Sequence, residues 1–236
     1  MPPNPTLNRT CNSVRRPGLI SFWTGRRPLP HAGWLHVRPH TEPPLRATTL
    51  HTKRLRLETF DESHLDGLHA MNSLPEVMRY VGGQTETREQ TASVIARVKR
   101  CWAAWGTSWW AFIETKSERV AGAGCIQYLR RDASPPEDLS SLMGNPIEIG
   151  WRLHPDFWRQ GLASEAARRM AAFAFDTFPI EQLVAVRHPE NEDSGRVMDR
   201  LGMRQRGLEP WYGTTVATHV ISRAEWQRIM SSAGEA

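Results

Sequence analysis

The residues most suggestive of chemistry lie at positions 156–166, DFWRQGLASEA, just after a strand-like IEIGWRL (147–153) and at the start of an alanine-rich helical run. The first turn of a helix leaves its N–H groups without intrahelical partners, so it attracts an anion, and small residues let that anion come close. Gly161, followed by Leu162, Ala163 and Ser164, makes such a mouth. No Lys-Ser/Thr pair follows the glycine, which excludes a P-loop. A single glycine with no acidic residue ending the next strand is a poor dinucleotide fingerprint. VAGAGC (120–125) holds another Gly-x-Gly, but inside a strand, where close packing accounts for it. What remains is a short Gly-x-Ala turn that can offer amides to a pyrophosphate-like group; a turn with no ligand would use the same residues.

The elements around this turn follow from periodicity. Leu162, Ala166, Met170, Ala174 and Phe178, broadened by Ala163, Ala167, Ala171 and Phe175, form the core face of a helix, and Glu165 and Arg169 are spaced to pair on its other side. Upstream, TTLHTKRLRLETF reads as a first strand, DESHLDGLHAM as a helix with an acidic N-cap, and LPEVMRYVGG as a short helical turn closed by two glycines. TREQTASVIARVKRCWAAW is a helix stopped by Gly106, SWWAFIET and RVAGAGCIQYL form an antiparallel hairpin, and residues 130–146 are a Pro/Ser-rich loop. Downstream come the strand QLVAVRH, the helix EDSGRVMDRLG ending at Gly202, the strand TTVATHVIS, and a last helix with a Ser222/Glu225 capping box. The order describes a mixed α/β (α+β) sheet. Its central strand–helix–strand unit is a crossover with ligand at the carboxyl edge of the first strand.

The chain of 236 residues suits one sizeable core plus an appendage. Its formal charge of +5 is uneven: residues 1–46 carry seven arginines and one acid, so 47–236 is near neutral. Nine of the seventeen prolines also fall in 1–46, which predicts a disordered Pro/Arg-rich extension ahead of one domain at 47–236. Within it, SVRRPGLISFW faintly resembles an export or transit signal, though a disordered leader or an over-extended start is the plainer reading. Cys11, Cys101 and Cys125 show neither disulfide nor metal spacing, so a reducing, cytoplasmic setting without a bound metal is expected. No apolar run reaches the roughly 20 residues of a membrane helix.

Five ordered blocks then carry a resemblance: LHTKRLRLETFDESHLDGL, LPEVMRYVGG, IEIGWRLHPDFWRQGLASEA, HPENEDSGRVMDRLGM and HVISRAEW. Over roughly residues 48–230 they resemble the GNAT acetyltransferase superfamily, in particular its RimJ/RimL-type branch of N-terminal and ribosomal-protein acetyltransferases. The resemblance implies a single domain with a mostly antiparallel central sheet, a splayed parallel strand pair, and helices on both faces. It implies acetyl-CoA as cosubstrate, with pyrophosphate on the amides of Arg159, Gln160, Gly161, Leu162, Ala163 and Ser164. The pantetheine arm would pair with backbone near Trp151, Arg152 and Leu153, and Asn191 matches the family asparagine that contacts this arm.

Acetyl transfer to an amine needs a neutral nucleophile, a polarised carbonyl and a leaving thiolate, with both substrates held in line. Glu148 matches the family's E-I-G and is the candidate base, directly or through water; a structural hydrogen bond is the competing role. Ser194 matches the serine of N-x-x-S and is a candidate donor to the leaving sulfur, or else a helix cap. Where many superfamily members carry a tyrosine acid this chain has Met198, which leaves Tyr212 of WYGTT as the alternative. Arg159 stands where the branch often has glycine, and Met203 where phenylalanine is usual. Neither Cys101 nor Cys125 is placed as a nucleophile. Trp102, Trp105, Trp109 and Trp110 should be mostly core, with one or two lining an acceptor slot.

The acceptor stays open between a protein N-terminus and a small amine. A polyamine should recruit several acids, to which the loop DASPPEDLSS would contribute. Neither a membrane nor nucleic acid is expected as a partner, and the expected state is monomer or homodimer. A second reading keeps the fold as a non-catalytic scaffold, with the basic segment touching RNA or the ribosome.

Overall fold

The computed structural model describes residues 48–234. The expected disordered extension at 1–46 lies outside the described residues. One eight-stranded sheet runs through the domain in the order β1-β2-β3-β4-β5-β6-β8-β7. Its strands are β1 (Leu50–His51), β2 (Leu55–Thr59), β3 (Trp109–Glu114), β4 (Val120–Tyr128), β5 (Ile147–Leu153), β6 (Gln182–Arg187), β7 (Arg204–Trp211) and β8 (Thr214–Ser222). The helices are α1 (Leu65–Asn72), α2 (Pro75–Met78), α3 (Arg88–Trp105), α4 (Leu162–Thr177), α5 (Glu192–Arg200) and α6 (Arg223–Gly234). Every neighbouring strand pair is antiparallel except β5–β6. These two parallel strands are in register only at Glu148↔Val184, so they part beyond that point and leave a gap toward α4.

Alternation along a strand separates the two faces of the sheet. Gly124 pairs with Trp151, and a Cβ on Gly124 would sit 2.7 Å from Met170 Cε of α4. One position on, Arg152 reaches Asn72 of α1 at 3.1 Å. Helices therefore cover both faces, with α4 on one and α1 on the other. The same clash, with Phe112 Cζ only 2.4 Å away, is why VAGAGC needs glycine: it is a packing motif, as its strand position implied.

The core is largely aromatic near α3. Trp110 is fully buried, edge-on to both Trp102 (4.9 Å) and Phe173 (5.4 Å). Truncating such a side chain to alanine costs about 3–5 kcal/mol. Thr87 closes the start of α3 with a capping box, and left-handed Gly106 (φ 68°) ends it.

Several expectations need correction. TTLHTKRLRLETF is two strands rather than one: the chain turns at Thr52–Arg54 and β1 folds back on β2, pairing Leu50 with Leu57. β7 was not expected at all, because RQRGLEPW has no apolar alternation. It is an edge strand paired only with β8, where a bulge near Gly207 (φ 139°) and Pro210 are tolerated. The loop 130–146 contains one 3-10 turn, Leu139–Leu142, capped by Asp138.

Candidate active site

The mouth of α4 is built from backbone. Arg159 (φ 58°) and Gly161 (φ 77°) are both left-handed, a conformation from which anion-holding backbone concavities are made. Gly161 is the N-cap and supplies no side-chain cap. Helices α3, α5 and α6 close their own first turns: Thr87 accepts from Gln90 N, Asn191 from Ser194 N, and Ser222 Oγ from Glu225 N. The amides at Leu162, Ala163 and Ser164 are thus left for an acceptor that the helix does not provide, and the anionic coenzyme fits this donor set.

Glu165 in the same turn does not pair with Arg169. Its Oε1 accepts from Thr52 Oγ1 (2.6 Å) and Arg54 N (2.9 Å), and its Oε2 from Arg54 Nε (2.7 Å). Arg54 Nη1 also donates to Gln160 O at 2.8 Å, which ties the β1–β2 turn to the mouth. Spacing along one helix proposed a local pair; a long-range partner with better geometry displaced it. Burial alone would raise the Glu165 carboxyl, but the Thr52 and Arg54 hydrogen bonds outweigh it and hold it below the usual range.

Beside the gap, on the α1 face, lies a cluster built from side chains. Glu148, only 6% exposed, pairs across strands with Gln127, whose Nε2 donates to Glu148 Oε2 at 3.1 Å. Trp109 Nε1 donates to Gln127 Oε1 at 2.9 Å and so orients the amide. The Tyr212 hydroxyl donates to Glu148 Oε2 in a short hydrogen bond and lies 3.2 Å from Gln127 Nε2. Tyr212 reaches this place from a two-residue hairpin between β7 and β8. Tyr212 (φ 56°) and Gly213 (φ 71°) are both left-handed, as that tight turn demands. Backbone bonds to Arg130 O (3.0 Å) and Arg131 O (2.7 Å) pin the turn, and the Arg130 guanidinium stacks 4.4 Å over the tyrosine ring.

Burial pushes the Glu148 carboxyl above its ordinary value, against the lowering hydrogen bonds from Tyr212 and Gln127. Burial and the nearby Glu148 charge push the Tyr212 phenol well up, so it stays a proton donor. A carboxylate with a raised proton affinity, held at the strand divergence, is suited to accept a proton from an amine.

The remaining candidates are more dispersed. Trp151 lies on the α4 face, Arg152 on the Glu148 face, and Leu153 O accepts from Trp158 Nε1 at 2.8 Å. Asn191 caps α5, so Ser194 is not the cap: it donates its backbone N–H to Asn191 Oδ1 at 3.2 Å. The Ser194 hydroxyl makes no hydrogen bond among the described residues, and neither Asn191 nor Ser194 touches the Glu148 cluster. Cys125 is buried with its thiol pushed well up, chiefly by desolvation, which suits an inert group. Of the tryptophans, Trp109 is the one at the cluster, while Trp102 and Trp110 are core. Sequence reasoning missed Gln127, Asn72 and Arg54. A signal existed for Gln127: a lone amide in the apolar run VAGAGCIQYL, cross-strand from a lone carboxylate in IEIGW.

A parting parallel strand pair, an uncapped helix mouth beyond it and a buried carboxylate beside it are an arrangement suited to acyl transfer from a coenzyme. Residues 54–204 match the model of the acetyltransferase (GNAT) domain, which is well over half of the chain, and the protein belongs to this family of N-acetyltransferases. Among curated relatives, it is 26% identical over 157 residues to the uncharacterized N-acetyltransferase YnaD of Bacillus subtilis, covering 66% of this chain and 83% of that one. It is 28% identical over 193 residues to the FsC-acetyl coenzyme A-N(2)-transacetylase of Aspergillus fumigatus, covering 77% and 79%. A solved acetyltransferase from Agrobacterium tumefaciens superposes with a TM-score of 0.62 at 22% identity, covering 75% of this chain and 95% of that one. Among the described residues no helix is long and apolar enough to cross a membrane, and no three His, Cys, Asp or Glu side chains gather as a metal site.

Proposed function

We propose that the protein transfers the acetyl group of acetyl-CoA to a primary amine by direct attack in a ternary complex, as a RimJ/RimL-type enzyme of its family. The single observation that carries this reading is the Tyr212–Glu148–Gln127 cluster at the point where β5 and β6 part. Glu148 takes one proton from the substrate ammonium, and the neutral amine then attacks the acetyl carbon. As the C–N bond forms and the C–S bond breaks, the nitrogen sheds its second proton, which balances the one the thiolate gains. Tyr212 and Gln127 hold the Glu148 carboxylate in place, and the leaving thiolate is protonated by a neighbouring donor, for which the unengaged Ser194 hydroxyl is the candidate. The amides of 159–164 hold the pyrophosphate, the backbone of Trp151, Arg152 and Leu153 faces the pantetheine arm, and Asn191 adds its side-chain N–H groups. Buried free Cys101 and Cys125 suit a reducing, cytoplasmic setting.

The test is an acetyl-CoA assay against a panel of peptides and small amines, reading released thiol together with the mass of the acetylated product. Thiol release that matches product, abolished by omission of the amine, is the expected result. Coenzyme hydrolysis without any acetylated amine would refute the transfer.

A further inference from the structure

The wall facing Glu148 is rich in guanidinium. Glu148 and Arg152 stand four residues apart on one face of β5, about 13 Å apart along the strand. Only Gly150 lies between them on that face, with small Cys125 beside it on β4. Arg152 Nε donates to Asn72 Oδ1 at 3.1 Å, and its guanidinium lies 4.6 Å over the Trp109 ring, the same ring that orients Gln127. Its two terminal nitrogens donate to nothing among the described residues, so the fork that binds carboxylates two-handedly is held in place and unused. Arg97 of α3 interacts electrostatically with Arg152 and makes no hydrogen bond or ion pair among the described residues. Arg130, over Tyr212, adds a third positive charge.

The acids facing this wall do not balance it. Glu86, held by Asn72 Nδ2 (2.9 Å) and Thr91 Oγ1 (3.0 Å), offsets one of the three guanidinium charges and Glu148, the base, a second, which leaves one without a counter-charge. Tyr212 and Cys125 are kept neutral by burial. Burial lowers the Arg152 and Arg97 guanidinium pKa values more than Glu86 raises them, while both stay charged, so a further anion would be favoured there. A purely cationic acceptor would add positive charge to a site that already has an excess.

We propose that the acceptor is a small amine that also carries a carboxylate, received by the Arg152 fork with Arg97 behind it while the amine faces Glu148. This rests on the acceptor side of the proposed transfer, and Arg152 acts as a specificity determinant rather than a catalytic residue.

The test compares α-, β- and longer-chain amino acids and short peptides with their C-terminal amides, with spermidine as the cationic arm. Wild-type kcat/KM should favour each productive acid over its amide by at least tenfold, with spermidine poorest. Arg152→Gln should collapse that ratio at least tenfold, through KM rather than kcat. Arg152→Lys should restore part of it, and Arg97→Gln should lower it a few-fold. If Arg152→Gln does not fold, the wild-type ratio and Arg97→Gln decide. Calorimetric binding of the same acids and amides to the coenzyme A-saturated protein gives a readout that needs no turnover. Arg152-dependent acid binding without turnover upholds this inference while refuting the transfer. Turnover that ignores the carboxylate, or that prefers spermidine, overturns the inference and leaves the transfer standing.

Discussion

The mouth of α4 and the Glu148 cluster lie at the two ends of one gap, yet they are made differently. The mouth is six contiguous residues presenting backbone amides, with Arg159 held left-handed among them. The cluster draws Trp109 from β3, Gln127 from β4, Glu148 from β5 and Tyr212 from the β7–β8 hairpin, and each member acts through its own side chain. In the proposed reading, backbone donors hold what every acetyl-CoA shares, and side chains gathered from distant segments set proton transfer and acceptor choice. Removing the carboxylate of the cluster should therefore be steeper than any single change in the mouth.

The steepest effect should come from Glu148→Gln, which keeps the shape and removes the proposed base: kcat should fall by about 10²-fold or more, with acetyl-CoA affinity retained. The loss should shrink as pH approaches the amine's own pKa, where the nucleophile is already neutral. Stability gives an independent check. A carboxyl whose folded value is raised stabilises below its ordinary 4.5 and loses that contribution as pH climbs through the raised value. Glu148→Gln should accordingly gain melting temperature over wild type by more at pH 8 than at pH 4.5. Equal turnover losses at every pH would make Glu148 structural.

Gly161→Val probes the mouth. A Cβ there would meet only Arg54 Nη2, at 3.6 Å, but a β-branched residue at φ 77° is strained by about 1–2 kcal/mol. Calorimetry should show acetyl-CoA binding weakened about tenfold or more, since the amides can no longer hold their turn. The melting temperature should drop by a few degrees. Unchanged affinity in the folded variant would show that side chains, not the turn, bind the coenzyme. Tyr212→Phe should be milder, about five- to tenfold in kcat, with a signature of its own. The hydroxyl lowers the Glu148 pKa, so removing it raises that pKa further and moves the acid limb of the pH–rate profile upward. A profile that drops without moving would assign the tyrosine a packing role.

The same difference explains what could be read from the chain. Short-range patterns gave the α4 face, the β3–β4 hairpin, the Ser222/Glu225 cap and the glycine mouth, because each depends on neighbours within a few residues. RQRGLEPW did not look like a strand, since an edge strand takes its pairing from β8 rather than from its own alternation. Tyr212 could be named but not joined to Glu148, because 64 residues separate them and only the left-handed hairpin brings them together. Asn191, not Ser194, turned out to cap α5, as the two compete for the same local geometry.

The smallest effect should fall on Glu165, which separates the position of the mouth from its chemistry. Its carboxylate binds Thr52 and Arg54 but offers nothing to an anion; it fixes where α4 begins relative to the β1–β2 turn. Glu165→Ala leaves those donors partly solvated, so the cost should be about 1–2 kcal/mol, seen as a lower melting temperature. The KM for acetyl-CoA should rise only two- to threefold, with kcat unchanged. A carboxyl held below its ordinary 4.5 contributes stability above that value and loses it as pH falls through the depressed one. The gap between wild type and variant should therefore close in acid. A KM increase matching that of Gly161→Val would mean that the Arg54–Glu165 tie, rather than the amides, determines how the pyrophosphate is held, and the contrast between a backbone-built mouth and a side-chain-built cluster would fail.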